Sequence, residues 1–123
     1  MTLEIECPPE LQRAAEAALE AAGVRDGHVS VELVAADRIR ELNRRFRGRD
    51  EPTDVLSFPV DEAGASAGPR ELGDVVICPE HAGAVEEAVV HGVLHLAGHD
   101  HETDAGEMLA LQGEVLAKLR RES

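Results

Sequence analysis

The sequence contains no tryptophan or tyrosine and only two phenylalanines among its 123 residues. A hydrophobic core must therefore be built from leucine, valine, isoleucine and alanine, which is feasible because 43% of the residues are hydrophobic. A chain of this length suits one domain and can bury enough surface to fold without disulfide bonds. We expect one domain over residues 1–123.

Cysteine is also scarce, since only Cys7 and Cys78 are present. Two cysteines are too few for a disulfide framework, and both lie in apolar segments where we expect them to be buried. No apolar run approaches the roughly 20 residues of a membrane span, and the N-terminus has no apolar signal segment. These absences predict a cytoplasmic protein without a membrane contact.

The net charge is −13, which taken alone argues against binding to a nucleic acid, itself a polyanion. The basic residues are unevenly distributed, however. Half of the twelve lie within twelve positions, and this local cationic surface is compatible with a phosphate-bearing substrate: Arg38, Arg40, Arg44, Arg45, Arg47 and Arg49.

The pattern of apolar residues and chain breakers predicts about four strands and four helices in mixed order. The predicted strands are 2–7, 28–36, a short one through Val55, Leu56 and Phe58, and 72–78. The first predicted helix ends at Gly23, and the second lies between Asp37 and Gly48 with Ile39, Leu42 and Phe46 on its apolar face. The third runs from Pro79 to about Ala97. The fourth lies near the C-terminus, and its apolar face is formed by Met108, Leu111, Val115 and Leu119. This mixture favours an α+β fold, with helices packed on an approximately four-stranded mixed sheet. The histidines described next add the expectation of a metal-binding cleft.

The segment HGVLHLAGHDH, residues 91–101, carries the strongest chemical signal. His91 and His95 are four residues apart on a predicted helix, so their side chains share one face. Gly98 can take the left-handed conformation that ends a helix, and the returning chain can then present His101. Three imidazoles converging on one ion predict a metal site made of His91, His95 and His101.

Three histidine ligands leave one position of a tetrahedral zinc ion open, as in catalytic rather than structural zinc sites. Imidazole also suits copper, nickel or iron, so zinc is a preference. A zinc peptidase is disfavoured because its H-E-x-x-H motif has a glutamate where Gly92 stands here. His99 is either a substrate contact, a hydrogen-bond donor to a ligand or a bystander, and Asp100 either orients a ligand imidazole or belongs to the turn.

The same segment resembles the H-G-x-L-H-L-x-G-Y-D-H signature of the YbeY family of bacterial rRNA-maturation endoribonucleases. Upstream, LNRRFRGRDEPTDVLSFP (42–59) and LGDVVICPE (72–80) resemble two further signatures of that family, in the same order. The stretch between Glu80 and His91 is shorter than the family's usual one, and His99 stands where the family usually has tyrosine.

The resemblance implies a zinc-dependent endoribonuclease that acts on single-stranded RNA in 16S rRNA 3′-end maturation and late ribosome quality control. By motif position, His91, His95 and His101 match the zinc ligands, and Arg47 matches an arginine near the metal that would grip a phosphate. Single-stranded RNA, rRNA and small-subunit ribosomal proteins are the expected partners. In the endoribonuclease, His99 or a water molecule would carry the proton to the leaving oxygen of the phosphodiester.

The alternatives are a ribosome-assembly binding protein with a mainly structural zinc ion, and a hydrolase of some small phosphoester or amide.

Overall fold

A computed structural model describes residues 3–59, 71–98 and 106–122 of the chain. Within these ranges the protein has four strands, one 3-10 turn at Pro9–Leu11 and five helices, one helix more than predicted. The strands are β1 (Leu3–Glu6), β2 (Gly27–Leu33), β3 (Val55–Pro59) and β4 (Glu71–Ile77). The helices are α1 (Gln12–Ala21), α2 (Ala36–Arg47), α3 (Pro79–Ala82), α4 (Val85–Leu96) and α5 (Glu107–Glu122).

The strands form one mixed sheet in the order β1-β2-β4-β3. β1 and β2 are parallel, β2 and β4 are parallel, and β3 joins β4 in the antiparallel sense. β3 is therefore an edge strand of the described sheet. This arrangement confirms the predicted α+β class and the four-stranded mixed sheet.

The two faces of the sheet are covered by different helices. On one face, α1 and α4 pack on the sheet and α5 packs on these two helices, and the main core forms there around Leu19, Val29, Val75 and Val93. On the other face, α2 packs over the β3–β4 half of the sheet through a smaller cluster: Ile39, Leu56, Val76 and Cys78. Aliphatic side chains build both cores, as the lack of aromatic residues requires.

The predicted helix from Pro79 to about Ala97 is wrong in one respect, because the structure divides it into α3 and α4. Gly83 lies between them with φ of 66°, a left-handed value that an α-helix does not contain. The break shortens the helix that carries the two histidines to Val85–Leu96.

One prediction of burial needs correction. Cys78 is buried as predicted, but Cys7 is only half-buried, and its thiol lies 3.6 Å from the side-chain oxygen of Gln12. Phe46 lies on the apolar face of α2 but keeps 60% of its surface exposed, whereas Ile39 on the same face is fully buried. The helix therefore reaches past the apolar cluster that it covers.

A hydrogen-bonded charge cluster joins β1, β2 and β4. The ring of His28 lies 2.8 Å from a carboxylate oxygen of Glu71 and 2.8 Å from one of Glu6. These two hydrogen bonds raise the pKa of His28. Asp74 lies on β4, as Glu71 does, and its pKa is raised by burial first and then by the negative charge of Glu71.

Among the described helices, none combines the length and apolar character needed to cross a membrane.

Candidate metal centre

His91 and His95 lie next to each other on α4. Their ring centroids are 4.8 Å apart, and the ring planes meet at 74°. Both side chains are half-buried, whereas the three residues between them are fully buried, so the pair follows the border between the core and the solvent. Two nitrogens bound to one tetrahedral zinc ion would be roughly 3.4 Å apart, a separation that rings this close can reach. The donor set therefore fits a metal ion.

Gly92 allows α4 to lie directly against the sheet beside the histidine pair. A Cβ atom at this position would be 2.6 Å from Cγ1 of Val75, which is fully buried on β4. The hydroxyl of Ser57 on β3 also donates a hydrogen bond to the Gly92 carbonyl, at 3.2 Å. Glutamate, which a zinc peptidase has at this position, has no room here.

Gln112 on α5 fixes the orientation of the His91 ring. Nδ1 of His91 lies 2.8 Å from the side-chain oxygen of Gln112. Because an amide oxygen only accepts hydrogen bonds, Nδ1 carries the proton and Nε2 carries the lone pair. A histidine that binds a metal through Nε2 needs this tautomer, and an outer hydrogen bond from Nδ1 is typical of histidine ligands.

Gln112 was not predicted from the sequence to be part of the site. Its only signal is that it follows Leu111 and lies four residues after the buried Met108, at the border of the apolar face of α5. Nothing in that spacing relates it to His91, which lies 21 residues earlier in the chain.

A cleft of about 350 Å³ opens beside His91. Its lining includes Asp54 before β3, Glu87 and His91 on α4, and Leu109 and Gln112 on α5. Glu87 precedes His91 by one helical turn, so it lies on the same face as the histidine pair. Two carboxylates at the wall of this cleft favour the approach of a cation.

The chain is similar to known proteins over most of its length. A family model described as "Endoribonuclease YbeY" matches residues 4–120. The chain belongs to the YbeY family.

Several curated YbeY proteins are similar over most of their length. One from Koribacter versatilis is 46% identical over 115 residues, which cover 84% of this chain and 71% of that protein. One from Aquifex aeolicus is 38% identical over 127 residues, covering 91% of this chain and 83% of that protein. A solution structure of a Thermotoga maritima protein matches with a TM-score of 0.57 and 32% identity, covering 98% of this chain and 93% of that one.

The structure describes only some of the other residues predicted for the site. His99, Asp100 and His101 lie outside the described residues, so His101 stays a predicted ligand and His99 a predicted proton carrier. Residues 3–59, 71–98 and 106–122 contain no group of three or more histidine, cysteine or acidic side chains arranged to hold a metal. Gly98 has φ of 102° and follows the end of α4, as predicted for the residue that ends this helix. Arg47 is exposed and is the last residue of α2.

Proposed function

We propose that this protein is a zinc-dependent endoribonuclease that cleaves single-stranded RNA and acts in the 3′-end maturation of 16S rRNA and in late ribosome quality control. The observation that carries the proposal is the match of residues 4–120 to the endoribonuclease YbeY model. Curated relatives with the same description, 38% to 46% identical, support it. A cytoplasmic location and contacts with small-subunit ribosomal proteins would follow from this role.

His91, His95 and His101 would hold one zinc ion per chain. The 4.8 Å separation of the first two rings and the hydrogen bond from His91 to Gln112 support this assignment. When bound at an open histidine site, zinc supplies a water nucleophile at neutral pH and stabilises negative charge on a phosphoryl oxygen.

The chain's own residues would bind and orient the RNA. Arg47 would hold a phosphate through two parallel hydrogen bonds and stabilise the charge that develops on it. Gln112 would keep the His91 ring in its metal-binding orientation. His99 or a water molecule would deliver a proton to the leaving oxygen, and the attacking group is either water or the 2′-hydroxyl of the RNA.

A cleavage assay with purified protein tests this proposal. We expect the zinc-loaded protein to cut a labelled single-stranded RNA and to spare the same sequence in a duplex. A chelator should abolish cleavage, and stoichiometric zinc should restore it, while far-ultraviolet circular dichroism shows that the fold persists. If chelation unfolds the protein and the zinc-loaded form cuts no RNA, a ribosome-assembly protein with a structural zinc ion is the better description.

The role of Gln112 gives a prediction about metal affinity that does not depend on cleavage. The Gln112→Leu variant should bind zinc about 10- to 100-fold more weakly, because the His91 ring loses the partner that fixes its tautomer and orientation. Competition with a chromophoric chelator measures this affinity.

The chain offers a matched control for this substitution. Gln12, the other glutamine of the sequence, has its side chain near Cys7 at the start of α1. Gln12→Leu should leave the zinc affinity unchanged. Equal affinities for the wild type and Gln112→Leu would show that Gln112 does not support the metal site.

A further inference from the structure

The only two phenylalanines of the chain meet at the end of α2. The ring of Phe46 contacts the ring of Phe58 on β3 edge-on, with centroids 5.2 Å apart and planes at 67°. Phe58 is half-buried, but Phe46 keeps 60% of its surface exposed. The other large hydrophobic residues exposed in the described part of the chain, Leu33 and Leu109, lie on other elements. A protein with so few aromatic residues thus presents one at the surface.

Arginines lie beside this exposed ring, although the nearest, Arg45, is also 3.8 Å from the Glu41 carboxylate one turn earlier on α2. The guanidinium carbon of Arg45 lies 5.7 Å from the centroid of the Phe46 ring, within the range of a cation–π contact. Arg44, Arg47 and Arg49 are its near neighbours in sequence and are all exposed. The sheet carries a negative charge beside the aromatic pair, because Asp74 on β4 pairs with Phe58 in the strand register. A polyanion would therefore place its backbone on the helix side of the ring.

Helices α2 and α4, which carry Phe46 and the histidine pair, contact β3, an edge strand of the described sheet, from opposite faces. The hydroxyl of Ser57 on β3 donates a hydrogen bond to the carbonyl of Gly92, the residue after His91 on α4. Phe58, the residue after Ser57 on β3, contacts Phe46 on α2. Leu96, the residue after His95, has its side chain close to Gly73 on β4. Gly73 pairs with Pro59 of β3 in the sheet. A single strand bound at both pairs would therefore have to cross the β3 edge of the described sheet.

We propose that Phe46 is a stacking platform for a base of the single-stranded RNA, and that Arg45 holds a neighbouring phosphate while another part of the strand lies at the histidines. This inference rests on the proposed function and adds to it a binding subsite on the α2 side of β3. An aromatic ring accepts any base on its face, and flanking arginines track the backbone, which is a common design for binding single strands without sequence preference. A protein partner is less well matched, because a single exposed ring among arginines is a small apolar surface.

A fluorescence experiment tests the stacking. The probe is a single-stranded 2′-O-methyl oligoribonucleotide that carries 2-aminopurine at successive positions, and the zinc-loaded protein is titrated into it. The protein has no tryptophan or tyrosine, so the 2-aminopurine signal is free of protein emission. We expect quenching that depends on the position of the label. Phe46→Leu should lose this quenching and bind about tenfold more weakly. Phe46→Trp, compared by affinity alone because tryptophan itself fluoresces, should bind like the wild type.

Leu33→Ala provides the matched control, since it truncates an exposed hydrophobic residue, 37% exposed, on a different element. It should leave quenching and affinity unchanged. Thermal unfolding of each variant shows whether the exposed substitution disturbs the fold. If Phe46→Leu quenches and binds like the wild type, the stacking platform is refuted. If that variant instead loses only binding to a ribosomal protein, Phe46 belongs to a protein interface and the proposal is equally wrong.

The salt dependence of binding tests the role of Arg45. Arg45→Gln should reduce the slope of log affinity against log salt by about 0.7, the value for one phosphate contact on a single strand. Arg121→Gln makes the same charge change in the last turn of α5 and should not alter the slope. An unchanged slope for Arg45→Gln would remove the phosphate contact. These binding readouts do not need cleavage, so a wild-type protein that binds and quenches but never cuts RNA refutes the nuclease function alone.

Discussion

The His95→Ala variant should lose its bound zinc and, with it, all detectable RNA cleavage. His95 is one of three predicted ligands, and its ring lies 4.8 Å from that of His91 at the border of the core. With only two imidazoles remaining, the metal loses both affinity and the geometry of an open tetrahedral site. Metal analysis of the purified variant and the single-strand cleavage assay measure the two effects.

Arg47→Ala separates loss of the metal from loss of a phosphate contact. Arg47 is exposed at the end of α2, so its substitution should leave the fold and the zinc content unchanged. Its cleavage rate should nevertheless fall about 10²- to 10³-fold, the usual effect of removing one group that stabilises transition-state charge. A His95→Ala protein that retains stoichiometric zinc would exclude His95 from the ligand set. Normal turnover of RNA by Arg47→Ala would show that Arg47 does not contribute to cleavage.

The Gly92→Ala variant should be destabilised by about 1–3 kcal/mol, the usual cost of overpacking a core. Helix propensity predicts the opposite sign, since alanine is favoured over glycine in a helix interior by about 1 kcal/mol. Packing decides the outcome here. The new methyl group would lie 2.6 Å and 3.2 Å from the two Cγ atoms of Val75 and 3.3 Å from the Ser57 hydroxyl. Val75 is fully buried and cannot move aside freely.

Gly113 on α5 is the matched control, because it is also helical but a Cβ there meets nothing within 4 Å. Gly113→Ala should therefore be neutral or stabilising by up to about 1 kcal/mol. Urea unfolding of both variants gives the comparison. Adding Val75→Ala should make Gly92→Ala less costly than it is in the wild-type background, since that change removes the clashing methyl groups. Stabilisation by both glycine substitutions would contradict the close contact between α4 and β4.

The elements that sequence analysis predicted correctly are those governed by local patterns. The strands, the amphipathic helices and the helix-ending Gly48 and Gly98 follow from periodicity and from backbone conformations that glycine adopts readily. The break at Gly83 was missed because a glycine inside an apolar-periodic segment is compatible with both a continuous and an interrupted helix. The exposure of Phe46 could not be predicted from the sequence, because periodicity identifies the apolar face of a helix but not how far the opposing sheet extends beneath it.

By itself, the sequence determined the α+β class, the family and the spacing that places His91 and His95 on one face of a helix, because these depend on short-range periodicity and on motif order. Only the tertiary structure decided that Gln112 holds the His91 ring, that Gly92 lies against Val75, and that Phe46 and the histidines flank one edge strand. Each of these relations joins residues far apart in the chain, and their proximity is created only when the helices pack on the sheet.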